Sequence, residues 1–316
     1  MSTRTPVVFN HDEGRWLNWL GHPVRYLATG SDTDETYCLS QATVGHGGEA
    51  PPHRHNFDEG FYVLDGEITF TAGNRSVRLK AGEMIHISSR VAHKPKVEGE
   101  SATLLTLAAP SGFDRFQFEA GEELASVDAP AQKTKDEILA AIDNISRNYE
   151  IEMHPPAEAF LIDPQIHISG KNDGVIVDVV GDRYRFLMEG EHTSGRYALW
   201  HARISPGGGP PPHTHSREEE GFYVLSGELL FEADGKQSTG KAETFVNLPA
   251  GSRHRFSNPN TEEAEALIFV APAGLEKMFR RTGQIVTDPA SPIALVTTEE
   301  KKQLAEIAPE FGVTLG

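Results

Sequence analysis

Glu59–Gly66 reads EGFYVLDG and Glu220–Gly227 reads EGFYVLSG, and this repetition governs how the rest of the chain is read. The likeness runs outward in both directions. Upstream, GGEAPPHRH, ending at His55, matches GGGPPPHTH, ending at His215, and Gly21, Arg25, Leu27 and Gly30 match Gly181, Arg185, Leu187 and Gly190. Downstream, AAPSGFDRF (Ala108–Phe116) resembles VAPAGLEKMF (Val270–Phe279). Self-similarity on this scale predicts two copies of one structural unit.

Within each copy, short runs of Val, Ile, Phe, Tyr and Thr are punctuated by turn residues, 30 Gly and 20 Pro in 316 residues. That pattern belongs to strands joined by turns, so the fold class is all-β. A helix ends each copy. TKDEILAAIDNISRNYEI (134–151) resembles TTEEKKQLAEIAPEFGV (297–313), and both open on a capping-box pattern, Thr134-x-x-Glu137 and Thr297-x-x-Glu300. Ile138, Leu139, Ile142 and Ile145 recur at helical spacing. Closing helices are therefore expected near 134–148 and 298–308, the first after a loose acidic connection, Glu119–Asp128. The prolines of HPPAEAF break the chain after Met153, giving copies 1–153 and 154–316.

Charge narrows the choice of partners. With 29 Lys+Arg against 46 Asp+Glu the net charge is −17, which disfavours nucleic acid and anionic membrane surfaces. No apolar run approaches the roughly 18–20 residues of a membrane span. The N-terminus, MSTRTPVVFNHDEGRW, carries charge where a secretory leader would be apolar, so a cytoplasmic protein is expected. The single cysteine, Cys38, reads as a small buried apolar group. Exposed strand edges suit pairing into a homodimer.

Six of the 14 histidines hold corresponding places: His53, His55 and His93 in the first copy, His213, His215 and His254 in the second. Residues i and i+2 of a strand share a face, so each HxH pair can clamp one point inside a barrel. Glu59 or Glu220 follows after a short turn, and the third histidine arrives on a later strand. Three imidazoles and one carboxylate suit Fe, Ni, Mn, Co, Cu or Zn rather than Ca or Mg, and leave coordination positions open. In the run Glu218–Glu220, spacing alone also permits Glu219 as the ligand. Alignment of EGFYVL favours Glu220 and makes the other two solvent-facing. The remaining histidines (His11, His22, His46, His86, His154, His167, His192 and His201) read as surface or core residues, His86 being the one placed to line the first cavity.

At these positions the sequence resembles the cupin superfamily. The first cupin motif is matched by Gly47, His53, His55, Glu59 and Gly66, and again by Gly207, His213, His215, Glu220 and Gly227 with one residue inserted before the glutamate. The second motif is matched by Pro249, Gly251, His254 and Asn258. Glu243 departs from its opening Gly. The first copy keeps Gly82 but carries Ser88-x-Arg90 in place of P-x-G and ends on Val97. The resemblance implies two tandem jelly-roll (double-stranded β-helix) barrels, each closed by a short helix and holding one divalent transition metal. The second copy's closer match leans towards it as the active barrel.

Bicupins with three His and one Glu per barrel resemble the flavonol (quercetin) 2,3-dioxygenases. This implies a metal-dependent dioxygenase that uses O2 to cleave a hydroxylated aromatic or enediol substrate, with Glu59 and Glu220 as ligands that also act as bases. The same ligand set occurs in oxalate decarboxylase, oxalate oxidase, lyases and isomerases. Non-oxidative metal chemistry and plain small-molecule binding are therefore the alternatives. Phe61 and Val63 share the face of Glu59, and Phe222 and Val224 that of Glu220, which predicts apolar cavities suited to a planar ring. His86 and Arg90 are added to the pocket on the first side, with Arg90, Lys94 and Lys96 flanking His93 to steer an anion.

Overall fold

The computed structural model describes residues 4–316. All strand pairs are antiparallel, and the chain forms two compact units, one spanning Gly14–Asn172 and the other Asp173–Gly316 together with the segment that ends at Glu13. In the first unit the central ladder runs Arg15–Trp19, His22–Ala28, Cys38–Gly45, His93–Ala109, Asp58–Ala72 and Met84–Ile87. The second unit repeats it with Ile176–Val179, Asp182–Met188, Ala198–Ile204, Ala264–Ala271, Glu219–Ser226 and Phe245–Leu248.

Each ladder wraps into a barrel. In the first unit Asp58–Ala72 and His93–Ala109 run unbroken through both layers, bending at bulges near Val63–Asp65 and Gly66–Glu67. The second unit breaks the same path into separate strands, so that Glu228–Ala233, Arg253–Ser257 and His213–His215 make a sheet of their own with Lys236–Lys241 and Val313–Leu315. Alternation sets the interior: Leu229, Phe231 and Ala233 point inward along one strand, as Ile68, Phe70 and Ala72 do in the other copy. Cys38 is buried in the first core, as expected.

The unit limits differ from the expected division at 153/154, and strand pairing gives the reason. Ile166–Ser169 pairs with Met84–Ile87 in the first unit, and Val7–Phe9 pairs with Phe245–Leu248 in the second. The leading strand of each sequence repeat thus covers the edge of the other repeat's barrel. An open edge would otherwise expose unpaired backbone groups.

Both closing helices are present, Lys135–Ile145 and Thr298–Ile307. The first carries the full capping box: Glu137 N–H donates to Thr134 Oγ1 at 3.3 Å and Thr134 N–H to Glu137 Oε2 at 2.7 Å. The second keeps only half of it, because the Glu300 carboxylate accepts from Val180 N–H at 2.6 Å instead. Two further helices, Phe113–Ala120 and Leu275–Thr282, were not expected from the sequence. They are braced by Asp114, which accepts from Gly30 and Gly112 N–H, and by Glu276, which accepts from Gly190 and Gly274 N–H. The acidic connection is also partly ordered, with Glu122–Leu124 paired to Arg15–Trp19. Among the described residues no helix is long and apolar enough to cross a membrane.

Candidate metal centres

His53 and His93 are register partners on neighbouring strands, as are His213 and His254. The HxH spacing adds His55 and His215 on the same face, and the following strand brings in Glu59 and Glu220. Each set of four is buried, and its donor atoms lie within 4.8 Å of one another. In the first set Glu59 Oε2 is 2.8 Å from His55 Nε2 and 3.0 Å from His93 Nε2. In the second, Glu220 Oε2 is 3.3 Å from His215 Nε2 and 3.0 Å from His254 Nε2, with His213 Nε2 3.0 Å from His215 Nε2.

The ring orientations are fixed from behind. His53, His55 and His93 hold Nδ1 against the carbonyls of Pro51, Phe57 and Val91 at 2.8, 2.8 and 2.9 Å, which turns Nε2 inward. His213 and His254 do the same with Pro211 and Ser252 at 3.0 and 3.1 Å. His215 is the exception: its Nδ1 is buried with no partner. The inserted residue explains this. In the first set Phe57 both accepts from His55 and stacks on it at 3.8 Å, whereas the longer turn in the second places Glu218 in the interior, 2.9 Å from Arg217 Nη2.

Burial pushes His53 and His213 down to about 3, with the neighbouring histidines adding to the effect. Burial alone would raise the Glu59 and Glu220 carboxyls. The histidines around each outweigh it and hold both well below the usual carboxylate range. Neutral imidazoles and an ionised carboxylate are the protonation states a transition-metal cation needs. His93 Nε2, although near Glu59, is off the line of a hydrogen bond, a buried nitrogen whose lone pair is free to coordinate. The residues fit a metal in both places.

Neighbours of the ligands depart from expectation. Glu218 and Glu219 are buried rather than solvent-facing; Glu219 accepts from Asn247 Nδ2, Ala250 N–H and Arg4. Glu219 lies outside the convergent set, which contains Glu220. Arg90 replaces the motif glycine yet takes up φ 67°, close to the 82° of Gly251, and each donates its N–H to the carbonyl of the second HxH histidine, at 2.5 and 2.7 Å. The turn survives without glycine, at a strain of about 1–2 kcal/mol. Glu243 likewise keeps, at φ 66°, the left-handed conformation of Gly82.

Each centre opens onto a cavity, and the two cavities differ. The first offers about 100 Å³ of space for water centres and the second about 50 Å³. The first is apolar on most sides, through Trp19, Val24, Phe61, Phe70, Leu104 and Phe113, and is polar at His22, Ser40, Glu49, Thr106 and Gln117. Among the described residues, no Lys or Arg lines it. The second is walled by Tyr184, Trp200, Phe256, Ile268 and Phe279. Of the six expected pocket residues, Phe61 alone is among the described residues that line these two cavities. Val63, Phe222 and Val224 face inward but pack into the barrel cores; His86 lies beside Ser88 and Asp58 (3.4 and 3.8 Å); and Arg90 is exposed. The polar lining of the first cavity was missed, although comparing the two copies position by position would have flagged it.

Comparison with known proteins agrees with this picture. The cupin domain model matches residues 40–108 and 200–270. Among curated relatives, the polyketide synthase CurC of Streptomyces cyaneus is 35% identical over 80 residues, 25% of this chain and 51% of that protein. The quercetin 2,3-dioxygenase of Bacillus subtilis is 22% identical over 112 residues, 35% of this chain and 33% of that one. The probable oxidoreductase virH of Hypocrea virens is 36% identical over 74 residues, 22% and 34%. The chain thus spans about half the length of these relatives or less. Among solved structures, the oxalate decarboxylase of Lactobacillus farciminis superimposes with TM-score 0.55 at 15% identity, covering 87% of this chain and 88% of that one. That of Bacillus subtilis, described with Mn(II) centres, does so with 0.55 at 17%, covering 87% and 79%.

Proposed function

Because the chain belongs to the cupin superfamily as a bicupin with two three-histidine, one-glutamate centres, we propose that it is a metal-dependent dioxygenase of the quercetinase type, acting at the first centre. The observation that carries this is the first cavity: apolar and aromatic-walled, free of cations, and opening directly onto His53, Glu59 and His93. Such a wall suits a planar ring bearing vicinal oxygens. It offers a small dianion such as oxalate no Lys or Arg to pair with. The likeness to a quercetin dioxygenase and to oxidoreductase-named relatives supports the oxidative reading.

A redox-capable divalent metal held by His53, His55, Glu59 and His93 would supply Lewis acidity and one-electron chemistry for O2. The protein does the remainder. Pro51, Phe57 and Val91 carbonyls hold the three imidazoles in one tautomer. Glu59 Oε2, between His55 and His93, is the carboxylate placed to take the proton of a substrate hydroxyl. The apolar walls keep bulk water from the reacting ring.

The second centre is proposed to bind metal without turning over this substrate, since aromatic side chains occupy the space a ring would need. The test is isotopic. Protein reconstituted with Fe(II), Mn(II), Co(II) or Ni(II) is supplied with 18O2 and quercetin, simpler catechols or linear enediols. Label from O2 in a ring- or chain-cleaved product supports the reading, and product formed equally well without O2 overturns it.

A further inference from the structure

One wall of the first cavity carries three polar residues, Ser40, Thr106 and Gln117, where the second copy carries apolar ones. Ser40 and Thr106 face each other across neighbouring strands, and their counterparts Trp200 and Ile268 are register partners in the second barrel. Gln117 on the helix Phe113–Ala120 corresponds to Phe279 on Leu275–Thr282. Tyr26, whose hydroxyl donates to Gln117 Oε1, corresponds to Phe186. In the second barrel Trp200 and Phe279 pack at 5.2 Å and narrow the space. The Tyr26 and Gln117 side chains are buried, and their mutual hydrogen bond offsets the burial of the hydroxyl and of the amide oxygen.

Tyr26 occupies the Gln117 carbonyl, so the Gln117 amide N–H groups are left as donors at a wall of the cavity. The Ser40 and Thr106 hydroxyls lie beside the same space. We propose that Gln117, held by Tyr26 and flanked by Ser40 and Thr106, is the specificity-determining group of the first cavity. It donates to an oxygen substituent of an uncharged aromatic substrate, beyond the vicinal oxygens that engage the metal centre. The substrate class is then a polyoxygenated ring system rather than a simple catechol. This rests on the dioxygenase reading of the same site and narrows it.

Anaerobic titration of metal-reconstituted protein tests it without turnover. The probes are quercetin and naphthalene-2,3-diol, which keeps vicinal hydroxyls on a fused ring but has no further oxygen. Gln117→Leu is expected to weaken quercetin about tenfold, the worth of one good hydrogen bond, while leaving the diol affinity and the metal content unchanged. Tyr26→Phe/Gln117→Leu removes both partners, so that no buried hydroxyl is orphaned, and is expected to show the same selective loss. Equal weakening of both probes, or no change in quercetin, overturns the assignment of Gln117. Wild-type protein that binds metal but neither probe overturns the dioxygenase reading itself, and the assignment with it.

Discussion

His53 lies directly opposite His93 on the neighbouring strand, so the ladder itself sets their separation. Substituting one imidazole should leave the backbone pairing intact while breaking the ligand set. His53→Ala and His213→Ala are each expected to lower metal stoichiometry from two per chain to one, measured by elemental analysis after reconstitution and desalting. Two metals retained in either variant would contradict the assigned ligands.

Glu59 and Glu220 hold equivalent places, yet the proposed chemistry separates them. Glu59→Gln is expected to reduce turnover by at least about a hundredfold, within the range for loss of a positioned general base. Glu220→Gln should change it by no more than a few-fold. Steady-state kinetics on the two variants, corrected for metal content, checks this; equal losses would place turnover in both barrels.

The second cavity is narrowed by its own side chains, with Trp200 fully buried against Phe186 and Phe279 at 6.0 and 5.2 Å. Trp200→Ala should cost about 3–5 kcal/mol. At the matching position, Ser40→Ala removes only a hydroxyl beside open space and should cost less than about 1 kcal/mol. Urea unfolding of the metal-free protein compares them.

Arg90 holds a left-handed backbone that its counterpart Gly251 adopts freely. Arg90→Gly relieves the strain but loosens the unfolded chain, for a net gain of about 0.5–1 kcal/mol. A fall in the urea midpoint would show that the Arg90 side chain contributes more than its backbone costs.

Acid should weaken the metal-free fold before it reaches ordinary carboxylates. Burial, helped by Lys135 and opposed by Glu49, pushes His22 from 6.5 down to about 4. The unfolded chain therefore binds a proton there that the folded chain refuses. Stability present above pH 6.5 is lost as pH falls towards about 4. His53 and His213 act in the same direction; Asp182, raised by burial to about 7, opposes them. His22→Gln should flatten the decline by about one proton's worth of slope, and an unchanged slope in urea unfolding from pH 4 to 7 would contradict this.

The ligand sets were legible because they use the shortest rule available: i and i+2 on one strand face, repeated in two copies. Arg90 shows how a motif can lose its glycine and keep its geometry, which no residue pattern announces. The exchange of Val7–Phe9 and Ile166–Ser169 between repeats was hidden, since edge pairing joins segments far apart in sequence. Inward-facing positions were legible as inward, but alternation cannot tell a residue that packs, such as Val63, from one that lines space, such as Phe61. Ser40, Thr106 and Gln117 meet only through sheet register and a helix too short to declare itself.

The most direct test of the account is O2 consumption by three metal-reconstituted proteins, the wild type, His53→Ala and His213→Ala, challenged with quercetin. The account predicts uptake by the wild type and by His213→Ala, and none above background by His53→Ala. Uptake that survives in His53→Ala and vanishes in His213→Ala, or substrate conversion with no uptake at all, would contradict it.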